Sequence, residues 1–596
     1  MIAETVAVKN ARLILATAAM AMAVLAGSCN KESPQETVEA KPPAAGRTPR
    51  AAEGNPRPNV ILISLDTVRP DHLGCYGYKL NTSPNLDAFA RQSALFRNAY
   101  AQAPWTLPSH MSLFTSMLPS HNRVEDIGEM LADDLPTLAL VLRAHGYNTA
   151  ALVNNGQMRT HWGFSRGFDL WREYEVDTPA GTCENLTAEA LRWLAAASRE
   201  PFFLFLHYYD PHDPYAPPEQ YLKAFGSTVW GMDAREILFE HRFPGHDIKD
   251  ERLLREIIGA YDGEIAWLDH ELGKLLGALP QNALTVIFSD HGEAFEEHGW
   301  TTHGAALYEE EIRAALLINR PGSGGCAVEA PVMLLDVSPT ILSLCGVEPP
   351  AHWEGRDLTP LMQGAPIPDR PILAETKRVL EGRALKMCMT PPWKLIYSLF
   401  EGSAELYRLP DEQADLSGAN AERTEEMLAL VREWMASEDF WIVYAVGQGT
   451  FDANLTTEGQ FAVFIPIGVD LERDSIRPSR EGQGMALTLY PRGQTKALYF
   501  ETSPRAARVS FDFKVNGQQR PDMVFVGTDL NPRSLPFDLG QDAPARSPLI
   551  REPFKADMEG FHVMRYRSEG PAARSPRGVT LDEHTIQQLR SLGYLE

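Results

Sequence analysis

A chain of 596 residues with 44% hydrophobic and 22% charged residues has the composition of an ordinary globular protein, with material for about three or four domains. Its 79 acidic against 55 basic residues leave a formal charge of −24, which argues against a nucleic-acid binder working through clustered lysine and arginine. The same field repels anions at long range, so any anionic ester turned over here must be drawn in by a local feature such as a metal ion.

Lys9 and Arg12 precede an apolar run, 13–26, that is too short for a stable membrane span, and the segment reads as an export signal. Leu25-Ala26-Gly27-Ser28-Cys29 resembles a bacterial lipoprotein processing site with Ala26 where leucine is usual. Cys29 is expected to carry the lipid, with simple secretion as the alternative. Residues 30–58, rich in Pro, Ala, Glu and Lys without hydrophobic period, are expected to form a disordered tether. The remaining cysteines, Cys75, Cys183, Cys326, Cys345 and Cys388, show no CxxC spacing; buried thiols are expected, with one disulfide left open.

From Asn59 the pattern alternates strand and helix. NVILISL is a continuous apolar run of strand length, the mark of a strand buried on both faces, and it ends at Asp66, where open α/β sheets place ligands. Ser83-Pro84 opens a helix, and 96–101 reads as a strand returning toward Thr106, which would bring Asp66 and Thr106 to neighbouring sheet ends. Thr106 precedes a helix with Pro108 in its first turn. Two readings stand there: a nucleophile beside unpaired amides and the positive end of a helix dipole, or a simple helix cap. A helix over 135–145 stopped by Gly146, a strand over 149–153, a helix over 185–197 and a strand over 202–209 continue the βα repeat. Asp210-Pro211-His212-Asp213-Pro214 then forms a polar turn. An amphipathic helix over 253–279 leads to the apolar strand 284–288, which ends in Ser289-Asp290-His291-Gly292-Glu293, with His298 and His303 in the following loop. Asp, hydroxyl and Asp-His at three strand ends are suitable metal ligands.

The segments NVILISLDTVRPDHLGCYGY, TSPNLDAFA, APWTLPSHMSLFTS, LHYYDPHDPY, SDHGEAFEEHG and LYEEEIRAALLI, in this order over roughly 260 residues, resemble the sulfatase family within the alkaline phosphatase superfamily. The resemblance implies an α/β fold with a mixed, mostly parallel central sheet flanked by helices. It implies a divalent metal, calcium, zinc, manganese or magnesium, on Asp66, Thr106, Asp290 and His291, with Thr106 also the nucleophile. His212 and His303 match positions that contact the substrate anion or the leaving-group oxygen. His110, standing for the family's arginine, joins them as a catalytic residue. His298 is read as structural.

The departures bear on function. Where sulfatases carry Cys/Ser-x-Pro-Ser-Arg and oxidise the first residue to formylglycine, this chain has Thr106-Leu107-Pro108-Ser109-His110. Oxidising a secondary alcohol gives a ketone, so the hydrated-aldehyde route is closed, whereas a threonine alkoxide can attack phosphorus. In this the chain resembles superfamily phosphodiesterases, phosphonate hydrolases and phosphoglycerol or phosphoethanolamine transferases. The family's lysine becomes His303, its Lys-x-His segment is replaced around Asn154-Asn155, and the second acid of its Asp-Asp pair is Thr67. Either a second metal on some of Asp210, His212 and His303, or a substrate of low charge such as a diester, would offset the missing cations.

The expected organisation is a signal with lipid site over 1–29, a linker over 30–58 and a catalytic domain over 59–375. A small C-terminal α+β subdomain over 376–436, a β-sandwich-like domain over 437–575 and a final helix over 576–596 follow. The expected function is an exported, metal-dependent hydrolase of phosphate or sulfate esters in the cell envelope or periplasm, with a phosphodiester or phosphonate cleaved through Thr106 favoured. A sulfuric ester hydrolase, a transferase and a non-catalytic binding protein are the alternatives; joint retention of Asp66, Thr106, Asp290 and His291 favours an enzyme. Its partner is a small-molecule, glycan- or lipid-linked anionic ester, with no nucleic acid and membrane contact only through Cys29.

Overall fold

The computed structural model describes residues 57–127, 129–154, 157–174, 182–197, 201–242, 248–378, 383–399, 402–435, 440–467, 473–479, 482–492, 496–503, 509–520, 523–528, 560–566 and 577–578. The expected export signal, Cys29, nearly all of the tether and residues 579–596 of the expected final helix lie outside these residues, and Arg577–Gly578, read as part of that helix, form instead a short strand paired antiparallel with Glu129–Met130. Among those described, no helix is long and apolar enough to cross a membrane.

The central sheet contains β1 (Asn59–Leu65), β2 (Ala94–Phe96), β3 (Asn148–Val153), β4 (Leu170–Glu173), β5 (Phe202–Tyr208), β6 (Ala283–Ser289), β7 (Leu316–Asn319) and β8 (Cys326–Val328). Their spatial order is β8-β2-β7-β6-β1-β5-β3-β4. All neighbours run parallel except β7, which is antiparallel to both β6 and β2. The sheet is therefore mixed and mostly parallel. Its strands read as unbroken apolar runs because alternate residues feed two cores. Val60, Leu62, Phe203, Phe205, Val286 and Phe288 pack into one; Ile61, Ile63, Leu204, Leu206 and Ile287 pack into the other.

Helices cover both faces. α2 (Thr106–Thr115) and α3 (Leu138–Ala144) lie over the first core, while α1 (Pro84–Ala90), α4 (Thr182–Ala196) and α5 (Glu251–Leu276) lie over the second. In α5, Ile257, Tyr261, Ile265, Leu268 and Leu272 are buried, and Asp250 caps the start by accepting from the Arg252 and Leu253 amides. The strand read over 96–101 is instead two short pieces. Ala94–Phe96 belongs to the central sheet, but Ala99–Tyr100 joins a separate three-stranded sheet with Arg313–Ala314 and Val332–Met333. Thr106 therefore does not reach the site from a strand beside β1.

A four-stranded antiparallel sheet follows: β9 (Ile372–Arg378), β10 (Arg383–Thr390), β11 (Trp393–Ser398) and β12 (Ser403–Arg408), packed against α6 (Ala421–Met435). Beyond it stand two five-stranded sheets built from strands between Phe440 and Tyr566. Residues Trp441, Phe451, Leu487, Phe500, Phe511 and Phe561 share a core between them. The Asn516-Gly517 turn has positive φ at both residues, 52° and 76°, as a two-residue hairpin requires. Arg123, from the loop after α2, pairs with Glu501 of this region at 2.8 Å. The five described cysteines are free thiols, which closes the question of a disulfide among them.

Candidate active site

Strand parity decides which side chains meet. The face that carries Val60 and Leu62 next presents Ser64 and, just past β1, Asp66; the face with Phe203 and Phe205 next presents His207; the face with Val286 and Phe288 next presents Asp290. Ser64 and His207 are register partners, as are Leu65 and Ser289, so these groups lie at one end of adjacent strands. α2 packs on this same face and brings His110 Nε2 to 2.8 Å from Ser64 Oγ.

Thr106 is the first helical residue of α2, and the extended Trp105 occupies the cap position without a side-chain capping bond. The reading of Thr106 as a cap is thereby overturned. Its Oγ1 lies 3.3 Å from His291 Nε2 instead, fully buried at the helix's positive end. The next amide, Leu107 N–H, donates to Gln157 Oε1 at 3.2 Å.

Asp66, Asp290 and His291 present donor atoms that all lie within 4.8 Å of one another, and all three side chains are buried. His291 Nε2 stands 3.4 Å from Asp66 Oδ1 and 3.4 Å from Asp290 Oδ2. Burial pushes the Asp290 carboxyl up to about 8 and drives the His291 imidazole well below its ordinary value. Buried carboxylates are costly unless paired or bound to metal, so oxygen and nitrogen donors converging here fit a divalent cation. Gly292 lets the chain turn away: a Cβ there would meet Glu310 O at 2.0 Å.

His303 and His212 stand next to this group, with side chains 4% and 1% exposed. The His303 ring centroid lies 4.5 Å from that of His291 and 4.9 Å from that of His212. His303 Nδ1 is 3.0 Å from Glu293 Oε1, and Tyr215 Oη donates to the other Glu293 oxygen at 3.1 Å. Burial raises Glu293 to about 8, and burial lowers His212. Glu311 anchors the loop bearing His303 by accepting from Gly304 N–H at 2.8 Å and Trp300 Nε1–H at 3.0 Å. Thr376 Oγ1 of β9 donates to Gly304 O at 2.7 Å. His298 is held between Glu310 Oε1 and Glu412 O and stacks on Tyr308, a structural setting.

Of the second ligand group expected on some of Asp210, His212 and His303, the structure brings the His212 and His303 rings together, with centroids 4.9 Å apart. Among the described residues, His110, His207 and Asp290 form a second group with donor atoms within 4.8 Å of one another. His110 is fully buried among Ser64, Thr106 O and Asp290. His207 went unnoticed in the sequence. Its signal was a lone imidazole in the apolar run FFLFLHY, at the parity that also carries Asp66 and Asp290. Thr67, in place of a second acid, takes a left-handed backbone at φ 57°, and its buried Oγ1 has no hydrogen-bond partner.

Residues 58–347 match the sulfatase family model. An uncharacterized sulfatase of Escherichia coli is 23% identical over 408 residues, covering 59% of this chain and 80% of its own length. A choline-sulfatase of Rhizobium meliloti is 26% identical over 475 residues, covering 65% of this chain and 91% of its own. Among solved structures, the phosphonate monoester hydrolase of Agrobacterium radiobacter superposes with a TM-score of 0.53 at 20% identity, over 64% of this chain and 95% of that one. At that identity the superposition speaks for the fold. The alkaline-phosphatase-like sheet, the buried acid, imidazole and hydroxyl groups at its end, and the match over 58–347 together support an ester-hydrolysing enzyme whose catalytic region is similar to the sulfatase family.

Proposed function

We propose that the enzyme cleaves a phosphorus ester of low charge, a phosphodiester or phosphonate ester, with Thr106 as nucleophile. The observation that carries this reading is a buried hydroxyl, 3.3 Å from His291 Nε2, at the position where an aldehyde cannot be made. Asp66, Thr106, Asp290 and His291 would hold a divalent cation that polarises the ester and favours the Thr106 alkoxide. Thr106 Oγ1 gives its proton to water and bonds to phosphorus at the positive end of α2, which favours the growing negative charge. The bond from phosphorus to the leaving oxygen breaks, and that oxygen takes a proton from His303. Water then attacks the phosphothreonine, the bond to Oγ1 breaks, and Thr106 is reprotonated.

A sulfate ester is the second reading, supported by the sulfatase names of the relatives. The two separate in an acid-quenched reaction of cation-loaded enzyme with an aryl phosphodiester. Mass spectrometry of the peptide bearing Thr106 is expected to find a phosphorus adduct on that residue. Turnover of the ester with no adduct under steady-state or single-turnover quench would remove Thr106 from the role.

A further inference from the structure

His110 and His207 face the same two carboxylates as His291, from the other side, and the reaction above leaves both unused. Asp66 presents Oδ1 at 3.4 Å from His291 Nε2 and Oδ2 at 3.5 Å from His207 Nε2. Asp290 Oδ2 lies 3.4 Å from His291 Nε2 and 3.4 Å from His110 Nδ1. Donors bound to one ion at ~2.1 Å stand roughly 3.0–3.4 Å apart, and these pairs at 3.4 to 3.5 Å come close to that, with the His110, His207 and Asp290 donors all within 4.8 Å of one another. Each carboxylate thus has an imidazole on either side, as bridging ligands of a two-ion centre do.

Hydrogen bonds fix the ring protons accordingly. His207 Nδ1 is 3.2 Å from Asn154 O, which places its proton there and leaves the Nε2 lone pair facing Asp66. That nitrogen is buried and has no hydrogen-bond partner. His291 repeats the arrangement, with Nδ1 2.9 Å from Gly292 O. A backbone carbonyl on the far nitrogen is the usual support of a metal-bound histidine. His110 has Nε2 at 2.8 Å from Ser64 Oγ and Nδ1 at 2.9 Å from Thr106 O. The Thr106 carbonyl can only accept, which places the ring proton on Nδ1 with Ser64 Oγ–H donating to Nε2, so an ion on Nδ1 asks that proton to move to Nε2 and Nδ1 to give up its bond to Thr106 O.

We propose that His110 and His207 hold a second divalent cation, joined to the first through the carboxylates of Asp66 and Asp290. The use of this ion rests on the proposed ester hydrolysis. Asp66 and Asp290 contribute two negative charges; one divalent cation cancels them, and the second leaves a net positive pocket. That charge attracts an anionic ester to a protein of net charge −24.

The test counts ions rather than turnover. Metal-free full-length protein is reloaded with Zn2+, desalted, and its zinc measured by plasma mass spectrometry, with folding checked by circular dichroism. Two ions per chain are expected for the wild type and one for His207→Ala. One ion in the wild type, or two retained in His207→Ala, overturns the proposal. Should the variant lose both, electron paramagnetic resonance of the Mn2+-loaded wild type decides: an exchange-coupled pair upholds the shared-carboxylate centre, and the spectrum of isolated ions refutes it. Two ions without phosphorus-ester turnover would refute the proposed function and leave the second site standing.

Discussion

Arg123 ties the catalytic sheet to the C-terminal sheets, and its removal tests whether they are one folding unit. Arg123 Nη2 lies 2.8 Å from Glu501 Oε2, with side chains 5% and 1% exposed. Lys377 of β9 bridges Glu125 and Glu501 at 3.5 Å each, and Tyr499 Oη donates to Glu501 at 2.6 Å. At an effective dielectric near 20, a unit pair at this separation interacts by about 6 kcal/mol before desolvation. Arg123→Ala leaves Glu501 buried with Lys377 and Tyr499 as partial replacements, so a loss of about 3 kcal/mol is expected. Because Thr376 of β9 also holds Gly304 beside His303, activity and ellipticity are expected to fall together in urea, at a lower midpoint than in the wild type. Arg123→Met combined with Glu501→Leu removes both charges and is expected to recover all but about 1 kcal/mol. A loss below about 1 kcal/mol in Arg123→Ala, or separate transitions for activity and ellipticity, would refute this reasoning.

Three further outcomes follow from particular groups. Thr67→Gly removes a β-branched residue from a left-handed conformation and is expected to raise stability by about 1 kcal/mol, read by thermal denaturation; a decrease would mean that its side chain supports the site. Burial raises Glu129 from 4.5 to about 7, so the folded state binds the extra proton and stability declines as pH rises from 4.5 through 7. Glu129→Gln is expected to flatten that decline in urea titrations at pH 5 and 7.5, and an unchanged slope would contradict it. Stripping the cation with a chelator is expected to cost about 3 kcal/mol if it was present at a hundredfold excess over its dissociation constant, seen as a fall in Tm. Asp290→Asn is expected to abolish the chelator's effect, and a full shift in that variant would exclude Asp290 as a ligand.

Much of this was legible because the relevant physics is local. Apolar runs at 59–65 and 283–289 announce strands buried on both faces, and the acids that end them sit where the strand parity puts them. Thr106 is ambiguous for the same reason: a hydroxyl before a proline-containing turn suits a cap or a nucleophile, and the fold removes only the cap, by starting the helix at Thr106 itself and setting its Oγ1 beside His291, 185 residues away. Ala99–Tyr100 was misassigned because two-residue strands are fixed by their partners, Arg313–Ala314 and Val332–Met333, rather than by their own sequence. His207 was readable in principle, since counting by two from Phe203 places it on the face of Asp66 and Asp290. The meeting of His110 with His207 and Asp290 was not, because it depends on how α2 settles on the sheet. The chemistry of Thr106-Leu107-Pro108-Ser109-His110 needed no structure at all: a secondary alcohol does not yield an aldehyde.

The role of Thr106 is tested most directly by the turnover of matched aryl phosphate monoester, phosphodiester, phosphonate and sulfate substrates by cation-loaded wild type, Thr106→Ser and Thr106→Ala. The account predicts hydrolysis of a phosphorus diester or phosphonate, retained within about tenfold in Thr106→Ser. In Thr106→Ala it should fall by at least ~10³, about 4 kcal/mol of transition-state stabilisation. Preferential sulfate turnover, or phosphorus-ester hydrolysis indifferent to Thr106→Ala, would contradict it.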